Sequence, residues 1–258
     1  MTKFRFSVAV LLCLLITAAV LPSVAQNTEV KEKSPIYVYV GQWAMPRAQW
    51  GEMEKADAAN QPMLQQAMSA GTIIAYGSDT NLVHQPDAPT HDDFWAATSI
   101  AGVLNMLDKF HQAGTSVSPV LASATKHWDG IYMSRYYSWK PGTYKDAYSF
   151  GAYYKLKADA PPDAVDIAAK SFIVPLMEQL MSSGAIVEYD IDTEAIHTEA
   201  PGAFWLFYTA ANAEGIDKAR QALMQTLKTS PLSGPGFASM VDMSAHRDYL
   251  SRTNATYK

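Results

Sequence analysis

Histidine and aspartate recur in this chain at spacings that could move protons. His84 follows Asp79 by five residues, and His197 follows Asp192 by five. A second arrangement, His127-x-Asp129, returns as His246-x-Asp248, and Arg135 and Arg252 follow within one strand length. Imidazole exchanges protons near neutrality, and a neighbouring carboxylate orients it and raises its pKa. His84 and His197 are therefore the candidate general bases, with Asp79 and Asp192 as their partners. On a strand, the His and Asp of each second pair point to one face. With Arg beside them they could hold an anionic or carbonyl-bearing ligand. Each set also has a structural reading. Asp-Thr at a strand end bonds neighbouring backbone, and His, Asp and Arg together can close an ion-pair network between modules.

Other chemistries find less support. These His and Asp residues are of the types that Zn, Mn or non-haem Fe accept, but neither H-x-H nor H-E-x-x-H occurs, so no metal ligand is assigned. Haem needs only one axial His, which spacing does not address, and the sequence leaves the cofactor unknown. No Gly-x-Ser-x-Gly elbow supports a serine hydrolase. Aromatic residues crowd both halves. Most belong to sheet-face core, while Trp95 and Trp205 are candidate walls of a pocket for a planar apolar ligand.

The elements that would position these residues are written twice. Placing residues 62–84 over 175–197, a constant offset of 113, gives 10 identities in 23 positions without a gap. They include Pro62 with Pro175, Gly71 with Gly184, Tyr76 with Tyr189, Asp79 with Asp192 and His84 with His197. Further on, Phe94-Trp95 answers Phe204-Trp205, and the segment from His127 to Arg135 answers that from His246 to Arg252. Alternation at Ile36–Val40 and around Phe150–Leu156 predicts a first strand in each copy. Helices are expected from about Arg47 to Ser69 and from about Pro162 to Ser183, stopping near Gly71 and Gly184 and kinked at Pro62 and Pro175. Second strands are expected at Ile73–Tyr76 and Ile186–Tyr189, and third strands at Phe94–Ala97 and Phe204–Tyr208. Second helices follow over Ile100–Gln112 and Glu214–Leu227, and fourth strands over Ile131–Arg135 and Tyr249–Arg252. The order β-α-β-β-α-β is the split-βαβ motif. It predicts module 1 at 35–135, an aromatic linker at 136–146 that packs on the fold, module 2 at 147–252, and a frayed tail at 253–258.

Such a module leaves one sheet face apolar and uncovered, and two in one chain can cover each other. Element order and duplication together resemble the dimeric α+β barrel superfamily, with two ferredoxin-like units fused in tandem. The resemblance implies an α+β fold in which antiparallel sheets pair into a barrel. It also implies a range of activities: cofactor-free monooxygenases, lactone isomerases, haem-binding dismutases, and plain binding or stress proteins. No motif of one branch is matched residue for residue, so no family site is carried over.

Composition bounds the setting. With 48% apolar and 17% charged residues the chain is globular in type, and a net charge of −5 without a Lys/Arg block argues against nucleic acid as a partner. Lys3 and Arg5 precede an apolar run over Val8–Leu21, and Ser23-Val24-Ala25 reads as a signal-peptidase site. The run is about 14 residues, short of the roughly 20 that span a bilayer, so residues 1–25 are expected to be removed rather than kept as an anchor. Cys13, the sole cysteine, would leave with them, and no disulfide could form. The expectation is an exported, periplasmic or extracellular small-molecule-binding barrel. If it is an enzyme, a cofactor-independent monooxygenase or isomerase on an apolar or aromatic compound fits best. The alternatives are a non-catalytic structural protein and a metal- or haem-binding barrel. Ala75 pairs with Glu188 and Gly77 with Asp190, so two unequal sites are expected, and oligomeric state is not legible.

Overall fold

The computed structural model describes residues 30–85, 88–197, 201–230 and 232–258. The expected signal peptide and Cys13 lie outside the described residues. Among those described, no helix is long and apolar enough to cross a membrane.

Strand β1 (Ile36–Ala44) alternates as its β-branched and aromatic residues require. After a 3-10 turn at Arg47–Gln49, α1 runs over Trp50–Ser69 and ends at Gly71, whose φ of +72° suits a residue without Cβ. Strands β2 (Ala75–Asn81) and β3 (His91–Ala97) follow. Helix α2 (Ile100–Gln112) is capped by Ser99, whose hydroxyl accepts from the Gly102 amide at 3.2 Å. A short α3 (Pro119–Ala122) leads to β4 (Lys126–Trp139) and β5 (Thr143–Tyr144).

The second succession is similar. It comprises β6 (Tyr148–Lys155), α4 (Ala164–Ala168), a π-turn at Ala169–Ile173 and α5 (Val174–Ser183), which ends at Gly184 with φ +74°. Then come β7 (Glu188–Glu194), β8 (Ala203–Ala210), α6 (Ala213–Thr229), α7 (Phe237–Met240) and β9 (Arg247–Tyr257). The expected twin kinks differ: Pro175 follows the π-turn, whereas Pro62 lies inside the α-helical run of α1.

Every strand pairing is antiparallel, in the order β2-β3-β1-β4-β7-β8-β6-β9-β5, and a further β2–β9 pairing closes the ring. The first four long strands take the order β2-β3-β1-β4 and the next four the order β7-β8-β6-β9, the same permutation twice. Alternate residues of β1 divide the molecule. Ile36, Val38, Val40 and Gln42 face the lumen of the barrel, while Tyr39 faces Ala67 of α1 and Val103 of α2 outside it.

The helix-facing cores are unequal. In the second half the run from α4 through the π-turn to α5, together with α6, α7 and the sheet, buries 22 residues in one cluster around Phe172, Met177, Phe204 and Phe237. In the first half the corresponding cluster has eight, because α1 buries only Met53 and Ala67. The first pair of helices therefore stands partly off its sheet.

Several expected boundaries move. Strand β4 continues through Tyr136–Trp139, so the start of the expected linker is strand, and β7 pairs with it there. The expected tail does not fray: Thr253–Tyr257 pair with β2 and complete the closure. Register also corrects two equivalences. Asp79 lies opposite Asp92 and Asp192 opposite Trp205, so Trp205 answers Asp92, and Trp95 is answered by Tyr208. The Phe-Trp match slipped by an odd number of residues, which exchanges sheet faces. Likewise Asp192 lies opposite Ser134 and Asp79 opposite Thr253, so Arg135 and Arg252 are not counterparts. Arg135 falls at a register shift in β4 and reaches Glu32 and Asp166, each at 3.1 Å, outside the barrel.

Candidate functional site

Where α1 and α2 stand off the first-half sheet, a cleft of about 1410 Å³ opens. Its apolar wall includes Leu64, Trp95, Leu107 and Phe110, with Trp95 stacked at 4.1 Å on Tyr39 and at 5.2 Å on Phe110. The indole N–H of Trp95 donates to the Val103 carbonyl at 3.3 Å, which fixes the ring as part of the wall.

One polar group on this wall is a chain of three residues from β1 and β4. The Tyr39 hydroxyl donates to Asp129 Oδ1, and His127 Nε2 lies 2.9 Å from Asp129 Oδ2. The other ring nitrogen, Nδ1, is 3.1 Å from the Gln42 carbonyl, and the ring stacks on Trp43 at 4.7 Å. Burial alone would raise the Asp129 carboxyl, but the bonds from His127 and Tyr39 outweigh it and hold it below its usual range. The bond to Asp129 raises the His127 imidazole. Burial, then Asp129, pushes the Tyr39 phenol up, so it stays protonated and donates.

A second polar group comes from α1 and β3. Asp57 shares a helix face with Glu54, Gln61 and Leu64, and this face looks into the cleft toward Asp93 and Ser78. Asp57 Oδ2 is shielded from solvent and has no hydrogen-bond partner. Burial pushes the Asp57 carboxyl up to about 7, with the Glu54 charge adding to it and Ser78 opposing. Asp93 is pushed well above the usual carboxylate range by burial first and then by the charges of Asp57, Asp92 and Asp79. Two carboxyls that cannot both ionise cheaply retain a proton between them near neutrality, a state suited to general acid–base work.

The structure separates the residues singled out from sequence. His127, Asp129, Trp95 and Arg252 line the cleft. The Arg252 guanidinium is held by Asp146 at 2.8 Å. In the second half, His246 Nε2 lies 3.2 Å from Asp248, Nδ1 lies 2.8 Å from the Tyr153 carbonyl, and the ring stacks on Tyr154 at 4.4 Å. That geometry matches His127, but the adjoining helix face is filled by Phe204 and Phe237. Asp79, Asp192 and Trp205 face the lumen. Their expected partners do not join them: His84 is exposed and tilted against Trp50 at 5.1 Å, and His197 is exposed, 3.6 Å from Glu194. Loop placement after β2 and β7 carries both imidazoles away from the strand carboxylates. Arg135 lies outside the barrel, as above.

Sequence reasoning missed Tyr39, Asp57 and Asp93. Asp57 left one usable signal, an acid on the same helical face as Leu64. Among the described residues, no group of three or more His, Cys, Asp or Glu side chains is disposed to hold a metal ion. His127 also spends both ring nitrogens on protein partners, which leaves it ill suited to serve as a haem ligand.

No family model matches the chain, and no curated protein matches it. Solved structures do. A candidate monooxygenase from Lactobacillus acidophilus superposes with a TM-score of 0.60 at 13% identity, covering 88% of this chain and 97% of that one. A candidate monooxygenase from Fusobacterium nucleatum gives a TM-score of 0.57 at 8% identity, covering 88% and 95%. The chain shares the closed antiparallel α+β barrel fold of these structures. An anthrone oxidase-like protein matches this barrel with a TM-score of 0.54 at 9% identity, covering 87% and 93%. At such identities the likeness establishes the fold, and the barrel's chemistry resides in its own residues.

Proposed function

We propose that this barrel binds a small, partly apolar compound in the first-half cleft and acts on it as a monooxygenase-like enzyme without an organic cofactor. The observation that carries the reading is the Asp57–Asp93 pair, a proton acceptor raised toward neutrality in the same cleft as the Tyr39–Asp129–His127 chain. The structural neighbours described as monooxygenases and as anthrone oxidase-like agree with that class. The ionised member of the pair takes a proton from an activated methylene or phenol, and the carbanion or phenolate so formed is oxidised by dioxygen. For a methylene the balance is CH₂ plus O₂ giving C=O plus H₂O, with the carbon oxidised and both oxygen atoms reduced. The apolar wall supplies orientation and keeps water from the carbanion.

The chain is a tandem of two βαββαβ modules, the first ending with β4 at Trp139 and the second running from β6 through β9 to Tyr257, and export follows removal of residues 1–25. The repeated strand permutation and the matched His-x-Asp geometry support duplication; the Lys3–Ala25 sequence supports export. The test of activity is oxygen uptake by the purified barrel with an anthrone-type activated methylene. Asp57→Asn and Asp93→Asn should each slow turnover. Uptake indistinguishable from a buffer blank across activated methylenes and phenols would overturn the enzymatic reading.

A further inference from the structure

The sheet that forms the floor of the cleft has a second face, and it encloses a different chemistry. The lumen wall carries the carboxyl groups of Asp79, Asp92, Glu188, Asp190 and Asp192 and, among the described residues, the single ammonium of Lys258. The side chains of Lys258 and Glu188 are only 5% and 3% exposed. Lys258 Nζ contacts Glu188 Oε1 and lies 4.8 Å from the ring centre of Phe94 and 5.5 Å from that of Trp139. The lumen thus already holds one organic ammonium by a carboxylate and two aromatic faces.

Carboxylate capacity exceeds that one cation. Asp79 and Asp192, counterparts in the two halves, are 6% and 9% exposed, and Oδ1 of each is buried without a hydrogen-bond partner. Oδ1 of Asp190 is in the same condition. Buried acceptors of this kind are costly unless a donor or a cation meets them. They border a cavity of about 120 Å³ whose remaining walls include Trp205 and Phe207. Both rings keep some accessible surface.

We propose that the lumen is a second binding site, separate from the cleft, for a small organic cation bearing a primary ammonium or guanidinium group. Asp79 and Asp192 are its carboxylate partners, and Trp205 and Phe207 offer it aromatic faces. The Lys258 ammonium occupies the neighbouring subsite on Glu188. An inorganic cation would gain little from the aromatic walls, and a neutral ligand would leave the carboxylates unmatched. Burial raises the Asp79 carboxyl to about 6 and Asp192 to about 7, with Lys258 pulling each down and Glu188 pushing each up. The other groups facing them are Asp92, Asp190, Tyr132 and Tyr249. A bound cation therefore displaces protons, and affinity rises from pH 6 to pH 8.

The test titrates n-butylammonium into the full chain by calorimetry at pH 8, with 1-butanol, sodium and potassium as comparisons. Saturable binding is expected for butylammonium alone. It should weaken by about tenfold or more in Asp79→Asn and in Asp192→Asn, and hold unchanged in Asp129→Asn, which alters only the cleft. On the unaltered chain, intermolecular Overhauser contacts should join the butyl protons to the Trp205 indole. That measurement keeps the proposal falsifiable if an Asn variant fails to fold. No saturable binding, equal binding of 1-butanol or of sodium, unchanged affinity in both Asn variants, or contacts to the Trp43 indole instead would each overturn it.

Discussion

Tyr39 and Phe150 occupy the same place in the two halves of the barrel: Tyr39 lies between Trp95 and Ile131, and Phe150 between Tyr208 and Leu250. Only Tyr39 carries a hydroxyl, and it donates to Asp129. His127 and His246 keep matching bonds, so the histidine does not distinguish the halves; the phenol and the open cleft do. Tyr39→Phe should cost about 1 kcal/mol of stability by thermal melts. It should also weaken binding of an apolar cleft ligand, whereas Phe150→Tyr should leave binding unchanged. Calorimetry with an apolar ligand should resolve one event per chain, not two equal ones.

The acid pair makes a kinetic prediction. Because the ionised form is the base, turnover should rise with pH along a limb centred near 7, the value to which burial raises Asp57. Asp57→Asn should remove that limb and lower the rate by about 10²-fold or more. A limb that persists unchanged in the variant would assign it to another group.

Stability should fall as pH rises from about 4 to about 7. Asp57, Asp79, Asp92 and Asp192 are raised by burial to about 7, 6, 7 and 7, so the folded chain binds protons that the unfolded chain has released in this window. Their stabilisation is complete below the unfolded carboxylate range and is lost as pH passes through the folded values. His91, lowered by burial to about 4, acts in the opposite sense between about 4 and its ordinary 6.5, but it is one group against four. Melting temperatures across this range check the sign, and Asp79→Asn with Asp192→Asn should flatten the slope.

His84 and His197 are exposed, and substituting both with Ala should leave cleft binding unchanged. The stability loss should not exceed about 1 kcal/mol, mostly from the ring contact of His84 with Trp50. Lost binding in the double variant would restore the role that their repeated spacing indicated.

Gly77 makes the closure of the ring possible. A Cβ there would meet Thr256 Oγ1 at 2.5 Å, Phe94 Cε1 at 2.7 Å and the Ala255 carbonyl at 2.9 Å. Backbone cannot yield as a flexible side chain can, so Gly77→Ala should destabilise by about 1–3 kcal/mol in denaturant melts.

Local pattern made the element order legible, and with it the strand permutation that recurs in the two halves. Tyr76 and Tyr189, and Asp79 and Asp192, hold equivalent positions at the offset that the sequence displays. The same kind of pattern misled at Phe94-Trp95, because a two-residue match carries no register and an odd slip exchanges faces. The length of β4 was obscured because Tyr136–Trp139 lie past a register shift and find their strand partner in β7 of the other half. Asp57 was hidden for a different reason. A carboxylate on a polar helix looks like a solvated one until the distance between helix and sheet is known.

The pairing of residues 75–81 with 251–257 has a consequence for how the chain reaches its native state. The ring seals through partners some 170 positions apart, as in the Ser251 hydroxyl bond to Asn81 Oδ1. During synthesis β2 keeps one flank unmatched until β9 emerges, so that edge stays open to stray pairing until one segment docks along both β6 and β2.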